Sequence, residues 1–436
     1  MAKRAAIFTL GCKTNQYESE AMAGIFRRHG YETVPFDEKA DVYIINTCTV
    51  THLGDRKSRQ MVRRAVRKNP DAIIAVVGCY AQTSPGEVLE IPGVDLVIGT
   101  RDRDRIVDLV KEAEKAPAPV NAVQDIMSHR SFEELPILDY ENRTRAFVKI
   151  QEGCGNFCSY CIIPYARGPQ RSRDPAAVLA EVKKLIQEGY GEIVLTGIHI
   201  GAYGKGLDQK TDLADLIVRI ALTPGLKRLR LGSIEPLDIT PRLITAVAEI
   251  RTVCRHLHIP LQSGDDSVLR NMNRKYNTFE FSRMVGAIRA HVPETAITTD
   301  VIVGFPGETE ENFQNTHDFV KDMGFSKTHV FKYSPRKGTP AAGFAGQVPG
   351  DAKDSRSKRL IALDRENQKN FAAGFLGHTM EVLAEQVVNR EKELWEGLTD
   401  NYLRVLFRSS ENLKGQFVEV RTVRMQGTSL LAKVRI

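Results

Sequence analysis

Three cysteines on one predicted loop constrain this 436-residue chain more than any other feature. Cys154, Cys158 and Cys161 are spaced C-x3-C-x2-C and follow residues 145–151, whose apolar alternation predicts a strand. Thiolates held this closely suit a soft metal or an iron–sulfur cluster. The next cysteine, Cys254, lies far downstream. Three ligands on a four-iron cluster would therefore leave one iron open to another molecule.

Zinc is the main alternative for these thiolates. A zinc knuckle or half of a zinc ribbon needs a fourth Cys or His at ligand spacing. No such residue follows Cys161, and the nearest downstream histidine is His199. The spacing favours the iron–sulfur cluster over zinc, and either metal site over three unrelated thiols in a core.

The first 115 residues predict a parallel α/β domain because strand-like and helix-like segments alternate. The predicted strands cover residues 5–10, 41–46, 73–77 and 94–98, and the helices cover 18–29 and 55–68. Cys12, Cys48 and Cys79 each come within two residues of a strand end. The carboxyl ends of parallel strands share one rim, where ligands bind. We expect a second three-cysteine cluster there, with buried thiols that act as small hydrophobic residues as the alternative.

A second series of strand–helix units follows and predicts a partial (βα)6 TIM-type barrel. Its strands are predicted at residues 147–151, 193–196, 228–231, 256–259, 296–303 and 327–331. The cysteine loop comes after the first of these strands and so opens onto the C-terminal rim. Polar or glycine-rich runs follow the next strands, at residues 196–199, 232–236, 260–264 and 304–309. Each run alone predicts only a turn, but four in succession favour a rim lined with ligand contacts.

Beyond about residue 374, short alternating runs separated by turn signals predict a small antiparallel β-barrel. Small five-stranded barrels often bind oligonucleotides, and a passive stabilising module is the alternative. We expect four parts in the chain. They are residues 1–115, a linker at 116–140, the partial barrel at 141–370 and the terminal barrel at 371–436.

Composition and charge limit the cellular compartment and the binding partners expected for this chain. No apolar run approaches the roughly 20 residues that span a bilayer, and the N-terminus has no signal-peptide pattern, so we expect a cytoplasmic protein. Seven cysteines without an export signal disfavour a disulfide framework. The net charge of +7 permits nucleic-acid binding. The predicted helix at 55–68 is strongly basic, which indicates either phosphate binding or a solvated face.

The C-x3-C-x2-C run, with Tyr160 before its last cysteine, resembles the signature of the radical S-adenosylmethionine (SAM) enzymes. In that family the open iron is chelated by SAM. The whole chain, with its three predicted domains in this order, resembles the methylthiotransferases, whose terminal RNA-binding domain is called TRAM. Three runs look most like the branch that acts on N6-threonylcarbamoyladenosine at position 37 of tRNA. They are LGCKTNQYES at residues 10–19, CIIPYARG at 161–168 and GIHIGAYG at 197–204.

The resemblance implies two [4Fe–4S] clusters and the cofactor SAM. Cys154, Cys158 and Cys161 would hold the catalytic cluster, and Cys12, Cys48 and Cys79 the auxiliary cluster that carries the sulfur to be transferred. The remaining expected contacts are with SAM. Thr196 and Gly197 would bind its amino group, Ser233 and Glu235 its ribose or methionine end, and Gly304, Pro306 and Gly307 would border its adenine.

The implied reaction transfers a methylthio group to C2 of the modified adenosine after SAM is cleaved to a radical. Its partners would be the tRNA anticodon loop, an electron donor and a sulfur source, the last two unidentified. Sister branches modify isopentenyladenosine in tRNA or an aspartate of a ribosomal protein, and these substrates stay open. A non-catalytic iron–sulfur sensor that binds nucleic acid is the alternative from another class.

Overall fold

The structure, a computed structural model, describes residues 2–135, 137 and 144–435. The predicted boundary between linker and barrel, at residues 140 and 141, lies outside the described residues. The predicted fold class is confirmed, because a parallel α/β domain, a six-stranded partial barrel and a small closed β-barrel follow one another. None of the described helices is both long and apolar enough to cross a membrane.

The N-terminal domain is a six-stranded parallel sheet with the spatial order β2-β1-β3-β4-β5-β6. Its strands are β1 (Arg4–Thr9), β2 (Glu32–Val34), β3 (Val42–Thr47), β4 (Ile73–Gly78), β5 (Leu96–Ile98) and β6 (Val120–Asn121). Its helices are α1 (Lys13–Arg28), α2 (His52–Lys68), α3 (Cys79–Thr83), α4 (Pro85–Leu89) and α5 (Ile106–Ala113). Strand β6 extends the sheet into the segment predicted as a linker.

Strand β3 shows why this sheet forms. All six of its residues are buried, as expected for a central parallel strand covered on both faces. Val42 and Ile44 pack in the core under α1 and α5, whereas Tyr43 and Ile45 pack in the core under α2 and α3.

Helix α1 begins at Lys13, five residues before the predicted start at residue 18. Cys12 is its N-cap but makes no capping hydrogen bond with its side chain, so the usual sequence signal is missing. The first turn also buries polar side chains, Thr14 and Asn15. These residues interrupt the apolar period on which the prediction depended.

The central domain contains the six predicted barrel strands in the predicted order. They are β7 (Ala146–Glu152), β9 (Glu192–Gly197), β10 (Arg228–Leu231), β11 (His256–His258), β12 (Ala296–Val303) and β13 (Lys327–Lys332), and the short β8 (Arg171–Ser172) pairs antiparallel with the end of β7. The helices are α6 (Ile163–Arg167), α7 (Pro175–Gln187), α8 (Leu213–Ala221), α9 (Pro241–Glu249), α10 (Asp266–Asn271), α11 (Thr278–His291), α12 (Glu310–Met323) and α13 (Gly350–Ala373). Isolated bridges such as Ser233 to His258 join the β10 and β11 halves.

Strand β12 shows how the barrel separates its core from its lumen. Ile297, Val301 and Val303 pack in the main hydrophobic core beneath the helices. Thr298 and Asp300 line a cavity in the lumen instead. Alternate residues of one strand thus supply stability and chemistry.

The C-terminal domain is a closed five-stranded barrel with the order β14-β15-β16-β18-β17. Its strands are β14 (Thr379–Asn389), β15 (Leu394–Leu398), β16 (Arg404–Arg408), β17 (Phe417–Gln426) and β18 (Ser429–Val434). The pairs are antiparallel except β16 with β18, which is parallel, so the predicted antiparallel barrel needs this correction. The loop after β16 leads first to β17, on the far side of β18, and that crossover makes the closing pair parallel.

Two arginines of β10 bind the C-terminal barrel to the central domain. Arg230 donates to the carbonyl oxygens of Thr399 (3.0 Å) and Asp400 (2.8 Å). Its guanidinium lies 4.4 Å from the ring centroid of Tyr402, and that ring also stacks on His256 at 4.6 Å. Arg228 donates to the carbonyl oxygens of Leu398 and Glu381. Tyr402 is thereby fixed beside the lumen.

Candidate active site

The N-terminal cysteines lie at the ends of three adjacent strands. Cys12 follows β1, Cys48 directly follows β3, and Cys79 directly follows β4 as the first residue of α3. Because β1, β3 and β4 are neighbours in the sheet, the three thiols converge on one rim. Cys12 is exposed, Cys48 is half-buried and Cys79 is buried.

Gly11 shows how closely the turns that carry Cys12 and Cys48 approach each other at this rim. Its φ of +103° lies in the region that glycine alone adopts easily, and a Cβ there would lie 2.8 Å from the Cβ of Cys48. A Cβ would also lie 3.1 Å from the Cys48 Sγ. The turn before Cys12 therefore needs glycine to leave room for the Cys48 thiol.

Asn15, which the sequence analysis did not single out, joins two of the cysteine loops. Its Nδ2 donates to the carbonyl oxygens of Leu10 (2.7 Å) and Thr47 (2.9 Å). Thr47 directly precedes Cys48, and Leu10 lies two residues before Cys12. One buried amide thus fixes the separation of the Cys12 and Cys48 loops. A buried asparagine on a polar helix turn gave no sequence signal for this role.

Arg167, from helix α6 of the central domain, reaches across to the N-terminal cysteines. Its Nε donates to the Cys79 Sγ at 3.3 Å. Its other nitrogens bind Asn15 Oδ1 (2.5 Å), Glu152 Oε1 (3.0 Å) and Glu18 Oε2 (3.0 Å). The guanidinium is fully buried. Its charge is therefore balanced by carboxylates from both domains, as a buried ion must be.

Glu18 is the centre of this buried ion cluster between the two domains. Burial alone would raise its pKa, but the charges of Arg103, Arg167 and Lys149 outweigh burial and lower the pKa to about 2. The same set of cations, with Arg171, lowers the pKa of Glu152 despite its burial. Both carboxylates are ionised at neutral pH.

The second cysteine set lies on the loop between β7 and α6. Cys158 is buried, and Cys154 and Cys161 are half-buried. Backbone contacts hold the loop: the Ser159 N–H donates to the carbonyl oxygen of Met272 (3.0 Å), and the Cys161 N–H donates to that of Cys158 (2.9 Å). Asn273 Nδ2 donates to the carbonyl oxygen of Phe157 (3.0 Å), whose φ is +45°.

Arg274 contacts Cys158 as Arg167 contacts Cys79: in each pair the guanidinium donates a hydrogen bond to the thiol. Its Nη1 donates to the Cys158 Sγ at 3.2 Å, and its Nη2 forms an ion pair with Glu235. On the other side of the loop, Cys154 Sγ lies 3.9 Å from His199 Nδ1, and His199 Nε2 contacts Asp238.

Both cysteine sets fit iron–sulfur clusters chemically. Burial raises the pKa of Cys79 to about 12 and also raises the pKa of Cys161. The Arg167 charge offsets part of the effect of burial on Cys79, and in each set the charges of the two other thiols raise the pKa further. Thiols of this kind release their protons to a soft metal rather than to water. The guanidinium groups on Cys79 and Cys158 would then offset the thiolate charge.

Three cavities surround the cysteines. The lumen cavity, of about 540 Å³, lies between all three domains. It is lined by Cys12, Lys13, Thr14, Thr196, Gly197, Leu231, Gly232, Ser233, His256, His258, Thr298, Asp300, Lys327, His329, Phe331 and Tyr402. A cavity of about 220 Å³ borders Cys158, and one of about 190 Å³ borders Cys161. Asp300 and Phe331 line both the lumen cavity and the Cys161 cavity, so the two cavities are adjacent.

The predicted SAM contacts fall into three groups. Thr196, Gly197 and Ser233 line the lumen cavity together with Cys12. Glu235 lines the Cys158 cavity.

The structure does not place the third group, at residues 304–307, on any of these three cavities. A Cβ on Gly304 would meet the Lys353 side chain at 2.3 Å, and the Gly307 N–H donates to the carbonyl oxygen of Gly346 (2.9 Å). Pro306 lies between these two contacts in the same turn. The seventh cysteine, Cys254, is fully buried.

The sequence models of two families match this chain. They are the uncharacterized protein family UPF0004 over residues 4–99 and the radical SAM superfamily over residues 148–320. The first match covers Cys12, Cys48 and Cys79, and the second covers Cys154, Cys158 and Cys161.

Curated relatives match nearly the whole chain. A threonylcarbamoyladenosine tRNA methylthiotransferase, MtaB, from Bacillus subtilis is 46% identical, over 96% of this chain and 93% of that protein. A tRNA-2-methylthio-N(6)-dimethylallyladenosine synthase from Clostridium botulinum is 37% identical, over 97% of this chain and 95% of that protein.

Solved structures share the fold. The radical SAM methyltransferase TsrM from Kitasatospora setae, solved with cobalamin and a [4Fe–4S] cluster, matches with a TM-score of 0.57 and 16% identity, over 78% of this chain and 74% of that one. The cobalamin-dependent radical SAM enzyme OxsB matches with a TM-score of 0.52 and 12% identity, over 84% of this chain and 56% of that one. At these identities, the similarity concerns the fold alone.

Proposed function

Because the chain belongs to the radical SAM methylthiotransferase family, we propose that it transfers a methylthio group to C2 of N6-threonylcarbamoyladenosine at position 37 of tRNA. As a member of this family it is an enzyme that uses SAM and [4Fe–4S] clusters. The alternative of a non-catalytic sensor is therefore wrong. The role of each site residue and the identity of the substrate are proposals.

We assign the two cluster sites to the two cysteine sets. Cys154, Cys158 and Cys161 would hold the cluster that binds SAM, and Cys12, Cys48 and Cys79 the auxiliary cluster. When bound, the clusters supply the electron that cleaves SAM and the sulfur that is transferred. The protein's own residues bind and orient the clusters and SAM and shield them from solvent. Arg274 and Arg167 donate to thiolates, and Glu235 holds Arg274 in place.

One observation carries this proposal: thiols of both sets face neighbouring parts of one barrel lumen. Cys12 lines the lumen cavity, and Cys161 lines the cavity that shares Asp300 and Phe331 with it. A substrate base in the lumen would therefore lie between the two cluster sites. Radical chemistry at one site and sulfur transfer from the other require this arrangement, because both must reach the same carbon.

The lining of the lumen cavity supports a polar substituent on the base. Among its described residues, Leu231 is the only aliphatic side chain, whereas three threonines, three histidines, two lysines and one serine line it. A threonylcarbamoyl group carries a carboxylate and a hydroxyl, and it can satisfy such a lining. A dimethylallyl group has no polar atom for these side chains and would contact only the apolar part of the lining.

Binding of tRNA is supported by the basic surface of α2, which begins four residues after Cys48. Six of its lysine and arginine side chains are exposed: Arg56, Lys57, Arg63, Arg64, Arg67 and Lys68. A row of such charges attracts phosphates. The small C-terminal barrel, of a kind that often binds oligonucleotides, contacts the lumen through Tyr402.

Mass spectrometry of tRNA nucleosides tests the proposal. In a strain without this gene, 2-methylthio-N6-threonylcarbamoyladenosine should disappear and its unthiolated precursor should accumulate. Complementation with the intact gene should restore it, and a Cys158→Ala gene should not. If that nucleoside is unchanged while the methylthiolated dimethylallyladenosine disappears, the threonylcarbamoyl substrate is wrong and the sister activity is correct.

A further inference from the structure

Two lysines from different domains line the lumen cavity, and neither is paired with a carboxylate of the described residues. Lys13 is the first residue of α1, next to Cys12, and Lys327 is the first residue of β13. Neither side chain forms an ion pair or a hydrogen bond with any residue that the structure describes. Both lysines are exposed, and single lysines on a surface are often unpaired, but two that line one cavity create a site for an anion.

Asp300, the only acid among the described residues of the lining, is already engaged. The Asp300 Oδ2 lies 3.2 Å from His258 Nε2, and His258 Nδ1 lies 2.8 Å from the Thr298 hydroxyl. Asp300 is therefore paired with an imidazole rather than with either lysine. Within the described part of the chain, the cavity has an excess of positive charge.

This positive charge shifts the pKa values of neighbouring groups. Burial alone would raise the pKa of the Tyr402 hydroxyl, but the charges of Lys13, Arg145 and Arg230 lower it. Burial lowers the pKa of His329; the charge of Asp300 opposes this and the charge of Lys327 adds to it. Both lysines thus act on the interior of the cavity, where the substrate base must enter.

We propose that Lys13 and Lys327 bind the free carboxylate of the threonylcarbamoyl group and so select this substrate, an inference that rests on the proposed function. The N6 substituent and C2 flank N1 of the same adenine ring. A base whose C2 faces the cysteine sites therefore keeps its N6 substituent within the same cavity. The carboxylate is the only charge that distinguishes this base from plain adenine, and two ammonium groups match it.

A divalent metal is the competing occupant of this cavity. Ligand atoms of His258, Asp300 and His329 all lie within 4.8 Å of one another, which a metal ion could bridge. The two ammonium groups beside them oppose a cation and favour an anion. Metal analysis belongs in the test for this reason. Stoichiometric zinc or manganese that is lost in His329→Ala would overturn the proposal.

Binding of anticodon stem-loops to the intact iron-loaded enzyme tests the inference directly. Three fluorescent stem-loops differ only at position 37: threonylcarbamoyladenosine, its methyl ester at the threonyl carboxylate, and adenosine. The wild-type enzyme should bind the free acid at least about tenfold more tightly than the ester, the effect of one charge-assisted hydrogen bond. Lys13→Met and Lys327→Met keep side-chain length without charge. Each should reduce this ratio severalfold, and the double variant should bring it near one.

Lys321→Met is the matched control, since Lys321 is an exposed lysine near the end of α12 and lines none of the three cavities. It should keep the wild-type ratio. The ratio, rather than the affinity, is the decisive readout, because a misfolded variant or a lost phosphate contact weakens all three probes equally. If both lysine variants keep the full ratio, or lose affinity equally for all probes, the inference is wrong.

Failure of the inference and failure of the proposed function give different results. If tRNA mass spectrometry shows the threonylcarbamoyl product but the lysine variants still discriminate acid from ester, only the inference fails. If the deletion strain keeps that product, the proposed function fails, and the wild-type enzyme should then show no preference for the acid.

Discussion

The two three-cysteine sites bring their thiols together in different ways. In the barrel site, one loop of eight residues supplies all three thiols. In the N-terminal site, three turns separated by 36 and 31 residues supply one thiol each. The first is encoded locally, whereas the second exists only when β1, β3 and β4 are paired. A site built by sheet topology therefore depends on the whole domain being folded.

The sites also differ in where their guanidinium comes from. Arg274, which donates to Cys158, belongs to the same domain as that cysteine. Arg167, which donates to Cys79, comes from the neighbouring domain and is held by Glu18 and Glu152. The N-terminal site is thus completed by contact between domains. Removing that contact should damage one site and spare the other.

Substituting one cysteine in each site should give the largest difference. Cys158→Ala should abolish both SAM cleavage and methylthiolation, whereas Cys48→Ala should abolish methylthiolation but permit SAM cleavage. Each variant should hold about four irons in place of about eight. Iron analysis, detection of 5′-deoxyadenosine and tRNA nucleoside analysis measure the three effects. Methylthiolated RNA from the Cys48 variant would contradict the auxiliary role.

Replacing each of the two arginines should lower the free energy of unfolding by a different amount. Arg167→Met leaves Glu18 and Glu152, both buried, without one of their cations and should cost about 3 kcal/mol of unfolding free energy. Arg274→Met should cost less, about 1–2 kcal/mol, because its partner Glu235 is partly exposed. Urea unfolding measures both. Equal losses would contradict the stronger stabilisation assigned to the buried ion pairs of Arg167.

Acid should weaken the domain contact through Glu18. Its folded pKa of about 2 lies below its ordinary value of 4.5, so the unfolded chain takes up the proton first as the pH falls. The stabilisation is complete above about pH 5, amounts to roughly 3 kcal/mol, and is lost as the pH falls towards 2. Urea midpoints of the iron-free protein should therefore fall between pH 6 and pH 3. Glu18→Gln should show a shallower fall, and an unchanged slope would exclude Glu18 as the source.

Asn15→Leu should combine a small effect on stability with the most selective effect on iron. It leaves the carbonyl oxygens of Leu10 and Thr47 without their buried donor, at a cost of about 1–2 kcal/mol. The separation of the Cys12 and Cys48 loops should then vary, so iron should fall towards about four atoms while SAM cleavage persists. Asn121→Leu, at an exposed position of β6 that lines none of the three cavities, is the control and should keep all the iron.

The sequence predicted the parts of this molecule that depend on local spacing or strand order. The six barrel strands, the C-x3-C-x2-C loop and the strand-end positions of Cys12, Cys48 and Cys79 all follow from periodicity and turn signals. The start of α1 was missed because buried polar residues replaced its apolar period. The parallel β16–β18 pair was missed because pairing across a closed barrel depends on a crossover that no local run encodes.

Residues that act between domains were the least predictable. Arg167, Asn15 and Glu18 carry their roles only once α1 is packed against β7 and α6, and each is an ordinary polar residue in the sequence. Lys13 and Lys327 are 314 positions apart and share a cavity only in the folded chain. The family and its cofactors are confirmed by the relatives, whereas the residue assignments for the clusters and for SAM stay predictions.

The position of Tyr402 gives the small C-terminal barrel a second role. Its ring forms part of the wall of the lumen cavity while the rest of its domain faces outward. Since Arg230 and His256 hold Tyr402 in place, a shift of the C-terminal barrel would move this wall of the cavity. RNA bound to the barrel and a base bound in the cavity would therefore influence each other's affinity. We expect an anticodon stem-loop, which can contact both, to bind more tightly than the free modified nucleoside.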